Sequence, residues 1–270
     1  MRFARLHGAG NDFLLFDGRA DPALAMTLPP LVARLCHRRF GLGGDGVLLL
    51  LPEAEGRVRL SYWNADGSAA SFCANGTRCA ARFVAERWGW PEMVVATGYA
   101  AVPARVCGGS VTLTLPSPTG VRPWQELAAV GARVRGRYLV VGVPQLVVPV
   151  AWPDFWHHPV EPLAPALRAH AALGPGGANV NFVQPEGREL LVRSWERGVE
   201  GETLSCGSGD VAAGLVGAAE GWCAAPVTVR TASERTLLVE PEGDPPGCAV
   251  RLTGPAEWVA EGSVSPELLP

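Results

Sequence analysis

Two segments of this chain open on a cysteine and then follow one template. Cys73-Ala-Asn-Gly-Thr-Arg-Cys-Ala and Cys206-Gly-Ser-Gly-Asp-Val-Ala-Ala share Gly at the fourth position (Gly76, Gly209) and Ala at the eighth (Ala80, Ala213). Each runs into a stretch of small residues with helical character, so each thiol heads a glycine-containing turn at a helix N-terminus. Backbone N–H groups unused by the helix point outward there, and together with the helix dipole they favour an anion, which for cysteine is the thiolate. The two thiols stand 133 positions apart. That repeat constrains the fold to two similar halves, each delivering one strand-to-helix junction.

The rest of the pattern repeats in the same order. In the first half, strands are expected near 2–6, 12–17, 46–51 and 57–63, with a helix over 31–40 closed by Gly41. A helix from about Asn75 to Trp88 ends at Gly89, and strands near 93–97, 100–107 and 110–115 follow. The second half predicts strands near 137–142 and 145–150, a helix near 163–173, and strands near 179–184 and 189–195. A helix over about 207–222 and strands near 226–231, 235–240 and 248–253 complete it. Val111-Thr-Leu-Thr-Leu-Pro116 and Val250-Arg-Leu-Thr-Gly-Pro255 echo one another at an offset of 139. The expected fold is α/β (α+β): two pseudo-symmetric domains, each a mostly antiparallel sheet or barrel around a central cysteine-headed helix. The expected boundaries are 1–117 plus about 256–270, and 118–255, joined through a segment rich in Pro, Ser and Gly. The terminal strand pattern, 257–264, is expected to cross back to the first domain.

Composition narrows the chemistry. All 23 Lys+Arg residues are Arg, so no lysine can form a Schiff base with pyridoxal phosphate. With a net charge of −3 and no basic block, the chain gives nucleic acid no electrostatic footprint. No apolar run is long enough to cross a bilayer, which predicts no membrane partner. Seven cysteines without a Cys-x-x-Cys pair read as thiols of a reduced, cytoplasmic protein. The five histidines complete no zinc pattern, and His157-His158 reads as a solvated loop, so no metal is expected. Cys36, Cys79, Cys107, Cys223 and Cys248 fit small buried hydrophobes. Cys73 and Cys206 do not, because polar residues gather about them: Asn11, Asn64 and Asn75 for the first, Glu196-Arg197 before the second. Only five Asn occur in the chain, the other two being Asn179 and Asn181.

His7-Gly-Ala-Gly-Asn11-Asp-Phe13, Asn64-Ala-Asp-Gly-Ser68, Cys73-Ala-Asn-Gly-Thr-Arg78, Glu196-Arg197-Gly-Val-Glu-Gly-Glu-Thr203 and Cys206-Gly-Ser-Gly209 together resemble the diaminopimelate epimerase family. The segments come in the family's order and span nearly the whole chain. The resemblance implies a cofactor-independent isomerase that interconverts LL- and meso-diaminopimelate, on the route to lysine and cell-wall precursors. It implies Cys73 and Cys206 as catalytic thiolate and thiol, with the active site in the interdomain cleft. Asn11, Asn64, Ala74, Asn75, Gly76, Asn179, Glu196, Arg197, Gly207 and Ser208 would bind the amino-acid substrate. Glu196 would also modulate thiol proton affinity. A homodimer is among the assemblies the sequence permits.

Three departures stand against the pattern. Where the family has Gly-Asn-Pro-His, this chain has Gly142-Val143-Pro144-Gln145. The family's Asn contacts substrate and its His assists a catalytic cysteine; Val143 does neither, and Gln145 hydrogen-bonds without titrating. Gly46 replaces a substrate-binding Gln, and Ala74 replaces a Gly. The reaction type is therefore better specified than the substrate. A same-mechanism racemase of another amino acid, for example a basic one, and a non-catalytic amino-acid-binding protein are the alternatives.

Overall fold

The structure, a computed structural model, describes residues 1–269 and divides into two compact units. One comprises Met1–Leu113 with the chain from Gly254 onward; the other is Thr114–Thr253. The first unit opens with β1 (Arg2–Gly8) and β2 (Asn11–Asp17), then α1 (Leu24–Thr27), α2 (Val32–Cys36), β3 (Gly46–Ala54) and β4 (Arg57–Asn64). The short β5 (Ala69–Ala70) leads into α3 (Ala74–Trp88), and β6 (Glu92–Ala96), β7 (Ala101–Cys107) and β8 (Ser110–Leu115) follow. β1 pairs antiparallel with β2, β2 parallel with β3, β3 antiparallel with β4, β4 parallel with β6, β6 antiparallel with β7, and β7 antiparallel with β8.

The second unit contains β9 (Gln125–Ala129), β10 (Ala132–Val141), β11 (Val143–Pro149), α4 (Leu163–Arg168), β12 (Asn179–Glu186) and β13 (Glu189–Glu196). It continues with β14 (Gly201–Thr203), α5 (Gly207–Ala219), β15 (Val227–Thr231), β16 (Thr236–Pro241) and β17 (Val250–Pro255). From β10 onward its pairings run antiparallel, parallel, antiparallel, parallel, antiparallel, antiparallel, the same succession as from β1. The outer neighbour of the first strand differs in origin. In the second unit β9 lies beside β10; in the first that place is taken by the final strand, β18 (Glu257–Ser263), antiparallel to β1.

The cysteine-headed helices are surrounded by these strands. α3 packs against β1, β2, β3, β4, β6 and β7, and α5 against β10, β11, β12, β13, β15 and β16. A helix ringed by sheet has no solvent side, so it carries no polar face. Accordingly every residue of α5 from Gly207 to Gly217 is buried. α3 keeps a wet edge at Glu86 and Arg87 and ends where Gly89 turns left-handed at φ 76°.

Local structure departs from expectation where the chain turns back on itself. The helix expected over 31–40 is a 3₁₀ turn at Pro29–Leu31 followed by α2, which stops at Cys36. His37 is extended, and the loop doubles back so that the N–H groups of Leu42 and Gly43 both take the Leu35 carbonyl, at 2.9 and 3.0 Å. The helix expected near 163–173 breaks after Arg168, whose carbonyl accepts from Ala178 N–H at 3.0 Å, and resumes as a 3₁₀ turn over Ala171–Leu173. β5 and β14 are too short to leave a period in the sequence. Among the cysteines read as buried, Cys107 is exposed and Cys248 half-buried, since both sit at loop or hairpin positions outside the core.

Candidate active site

Cys73 is the N-cap of α3, in extended conformation, and its Sγ accepts the Gly76 N–H at 3.4 Å. The thiol donates to Asn11 Oδ1 at 3.6 Å, and Asn75 Nδ2 donates to the same oxygen at 3.4 Å. Asn11 begins β2, and its Nδ2 donates to Asp45 Oδ2 at 2.8 Å. A carboxylate can only accept, so that bond fixes the carboxamide with its oxygen toward Cys73. Asn75 is fixed in the same way, because Arg78 Nη2 donates to its Oδ1 at 2.7 Å. Asn75 and Arg78 are both buried, as is Ala74 at the first helical position.

Behind Asn11 lies an ionic cluster that the sequence did not announce. Arg38 bridges Asp12 and Asp45, each at 2.7 Å, and Arg5 pairs with Asp12 from the adjacent strand. Burial works to raise the Asp12 carboxyl, but hydrogen bonds and charge from Arg38 and Arg5 outweigh it and hold the group below the usual carboxylate range. Asn64, at the end of β4, is held by Tyr62 Oη at 2.7 Å and by its own bond to Ser68 Oγ at 3.0 Å. Opposite it in register is Gly46. A Cβ at Gly46 would lie 2.5 Å from Trp63 O and 2.7 Å from the Tyr62 ring, so this backbone leaves no room for a side chain there.

Cys206 is the N-cap of α5 and only 4% exposed. Asn179 Nδ2 lies 3.6 Å from its Sγ, and Ser208 Oγ also lies at 3.6 Å. The Arg197 N–H donates to Asn179 Oδ1 at 2.8 Å, which turns the Asn179 amide nitrogen toward sulfur. Burial pushes the Cys206 thiol well above its ordinary value, and the charges of Glu196 and Asp210 add to this; bonds from Ser208 and the Gly209 N–H pull the other way. Glu196 accepts from Thr203 Oγ1 at 2.6 Å and Asp210 from Ser205 Oγ at 2.9 Å. Arg197 itself is exposed, its guanidinium 3.5 Å from Gly176 O. Gly207 and Ser208 form the first turn of α5.

Two further residues belong to this group. Gln145, fully buried, donates from Nε2 to Ser208 Oγ at 2.9 Å and accepts from Asn181 Nδ2 at 2.9 Å. Asn181, also fully buried, accepts from Ser194 Oγ at 2.8 Å. Asn181 was legible in principle: it is two residues beyond Asn179 on β12, and alternate residues of a strand share a face. His157 and His158 stand apart, the first paired with Asp154 and the second stacked on Trp152 at 4.2 Å.

A family model described as "Diaminopimelate epimerase" matches residues 3–98 and 137–259. The chain belongs to the diaminopimelate epimerase family. A curated diaminopimelate epimerase from Gemmatimonas aurantiaca is 39% identical over 254 residues, 90% of this chain and 88% of that protein. One from Aquifex aeolicus is 36% identical over 283 residues, covering 100% and 99%. Among solved structures, a probable proline racemase from Agrobacterium radiobacter K84 has a TM-score of 0.71 at 15% identity, covering 98% of this chain and 93% of its own. A hydroxyproline epimerase from Agrobacterium vitis has a TM-score of 0.67 at 18% identity, covering 99% and 94%. At that identity these two chains share the epimerase fold alone.

Proposed function

We propose that this member of the family is a diaminopimelate epimerase, inverting one α-carbon between the LL and meso configurations without a cofactor. The observation that carries the reading is the repeated half-site: in each unit a cysteine caps the buried helix and meets an asparagine amide whose orientation a third group fixes. Inversion needs a base on one face of the α-carbon and an acid on the other, and two such thiols from two like domains supply them. One thiolate takes the α-proton, the electron pair moves into the α-carboxylate, and the other thiol returns a proton to the opposite face. The two sulfurs then exchange protonation states. Helix N-termini favour the carboxylate as its charge grows.

Asn64, Ala74, Asn75 and Gly76 on one side, with Asn179, Glu196, Arg197, Gly207 and Ser208 on the other, are read as holding the amino-acid head, with Asn11 beside Cys73. Cys73 Sγ meets both the Asn11 acceptor and the Gly76 N–H, whereas at Cys206 the donors Asn179 and Ser208 work against the burial and the Glu196 and Asp210 charges that keep its proton on. The domains are read as 1–117 with about 256–270, and 118–255, in a cytoplasmic protein. No helix among the described residues is long and apolar enough to cross a membrane.

The test is α-hydrogen exchange in heavy water by the purified, reduced protein across a panel of diaminopimelate and basic amino acids. Highest catalytic efficiency with diaminopimelate is expected. A basic amino acid outperforming it would favour the racemase reading, to which Val143 and the closed site at Gly46 lend support.

A further inference from the structure

We propose that Gln145 is a positioning residue that holds the Ser208 hydroxyl proton on Cys206 Sγ, giving this thiol a hydrogen-bond donor that does not itself titrate. The inference deepens the reading of Cys206 as a catalytic group and rests on it for its functional meaning.

The direction of each bond follows from one fixed point. The Leu146 carbonyl can only accept, and Asn181 Nδ2 lies 3.5 Å from it and 2.9 Å from Gln145 Oε1. Asn181 Oδ1 is thereby turned to Ser194, whose hydroxyl donates at 2.8 Å. With its oxygen committed to Asn181, Gln145 can present only Nε2 to Ser208 Oγ, at 2.9 Å. Ser208 must accept that bond, so its own proton is left for the remaining partner, Cys206 Sγ at 3.6 Å. The chain Ser194 to Asn181 to Gln145 to Ser208 to Cys206 thus runs donor to acceptor without a break.

Burial and packing hold this direction. Gln145 and Asn181 are fully buried, and Ser194 and Ser208 are 3% and 7% exposed, so bulk water does not compete for the bonds. At Gly209 a Cβ would come within 2.1 Å of Asn181 Oδ1, so the glycine of the Cys-x-x-Gly turn is what admits the amide against the helix. None of Ser194, Asn181, Gln145 and Ser208 ionises near neutrality. The charged groups acting on Cys206 are Glu196, from the end of β13, and Asp210, from α5 itself; both oppose the thiolate along with burial, and the Ser208 bond acts in the opposite direction.

The experiment measures alkylation of Cys206 by iodoacetamide in the full-length reduced protein, resolved by peptide mass spectrometry between pH 5 and 10. Buried Cys79 serves as the unreactive reference. Removing the relay in Gln145→Met is expected to lower the thiolate fraction and slow Cys206 alkylation about tenfold at pH 8, equivalent to roughly one pH unit. Ser208→Ala should slow it similarly, and the double variant no further. Gln145→His should add an inflection near the imidazole range of about 6.5 that the wild type lacks. A residue that merely fills space would behave oppositely, since loosened packing exposes the sulfur and speeds alkylation. Unchanged or faster alkylation in Gln145→Met, with a wild-type-like circular dichroism spectrum, would overturn the proposal. If Gln145→Met does not fold, Ser208→Ala decides by the same criterion. A wild type that shows the relay effect but exchanges no diaminopimelate hydrogen would overturn the substrate reading and leave the relay standing.

Discussion

At Asn11 one bond decides what the side chain can offer. Its amide nitrogen is spent on Asp45, so its oxygen faces the Cys73 thiol and the Asn75 amide. Asp45→Ala removes the acceptor and frees the carboxamide to rotate, while Arg38 keeps its bonds to Asp12. The expected outcome is a loss of exchange rate on the order of tenfold, since misplacement by about an ångström costs one to two decades. Thermal melting should change little. Steady-state exchange with saturating substrate, alongside a melting curve, checks both. The sequence marked Asn11 through its motif but not Asp45, because nothing local distinguishes an orienting carboxylate in a glycine-rich loop. The same holds at Gly46: its identity was visible, but that the Trp63 carbonyl and Tyr62 ring exclude a side chain there depends on the register of β3 against β4.

The two central helices were the most legible elements, because cap, small-residue run and terminator are all local signals. What the sequence could not weigh was their surroundings. α5 is enclosed from Gly207 to Gly217, whereas α3 presents Glu86 and Arg87 to water. Truncating Leu215, fully buried in α5, to Ala should cost about 2–5 kcal/mol through lost transfer energy and the cavity left behind. Glu86→Ala on the wet edge of α3 should stay within about 0.5 kcal/mol of wild type. Urea titration of both variants measures the difference, and equal effects would contradict the enclosed placement of α5. The early stop of α2 was illegible for a related reason. Its apolar pattern continues past Cys36, but the Leu35 carbonyl is claimed by Leu42 and Gly43, a contact made only once the loop has folded back. Gln145 and Asn181 illustrate the middle case: their residue types were plain, yet the bond joining them spans β11 and β12 and appears only with the sheet.

Over the whole molecule, duplication was readable from the cysteine template, and the matching succession of parallel and antiparallel pairings gives it a topological form. The exchange of β18 for β9 at the outer edge breaks the correspondence in sequence order while keeping the pattern of pairing. Folding stability carries an electrostatic signature of the first unit. The Asp12 carboxyl is held below its unfolded value by Arg38 and Arg5, so its contribution is present above about pH 3.9 and is lost as pH falls through the folded-state value. The urea midpoint is expected to drop on acidification from pH 5 to pH 3, and to drop less in Asp12→Asn, which has no proton to take up. Identical acid slopes for the two proteins would remove Asp12 from the account.

The central claim is that one thiol from each unit serves as acid and base at a single α-carbon. Nuclear magnetic resonance of LL- and meso-diaminopimelate in heavy water tests it most directly, because it reads α-deuteration and isomer composition in one sample. The reduced wild type should deuterate and interconvert both isomers, and Cys73→Ser and Cys206→Ser should each abolish interconversion. Full interconversion in either single variant, or none by the wild type, would contradict the claim.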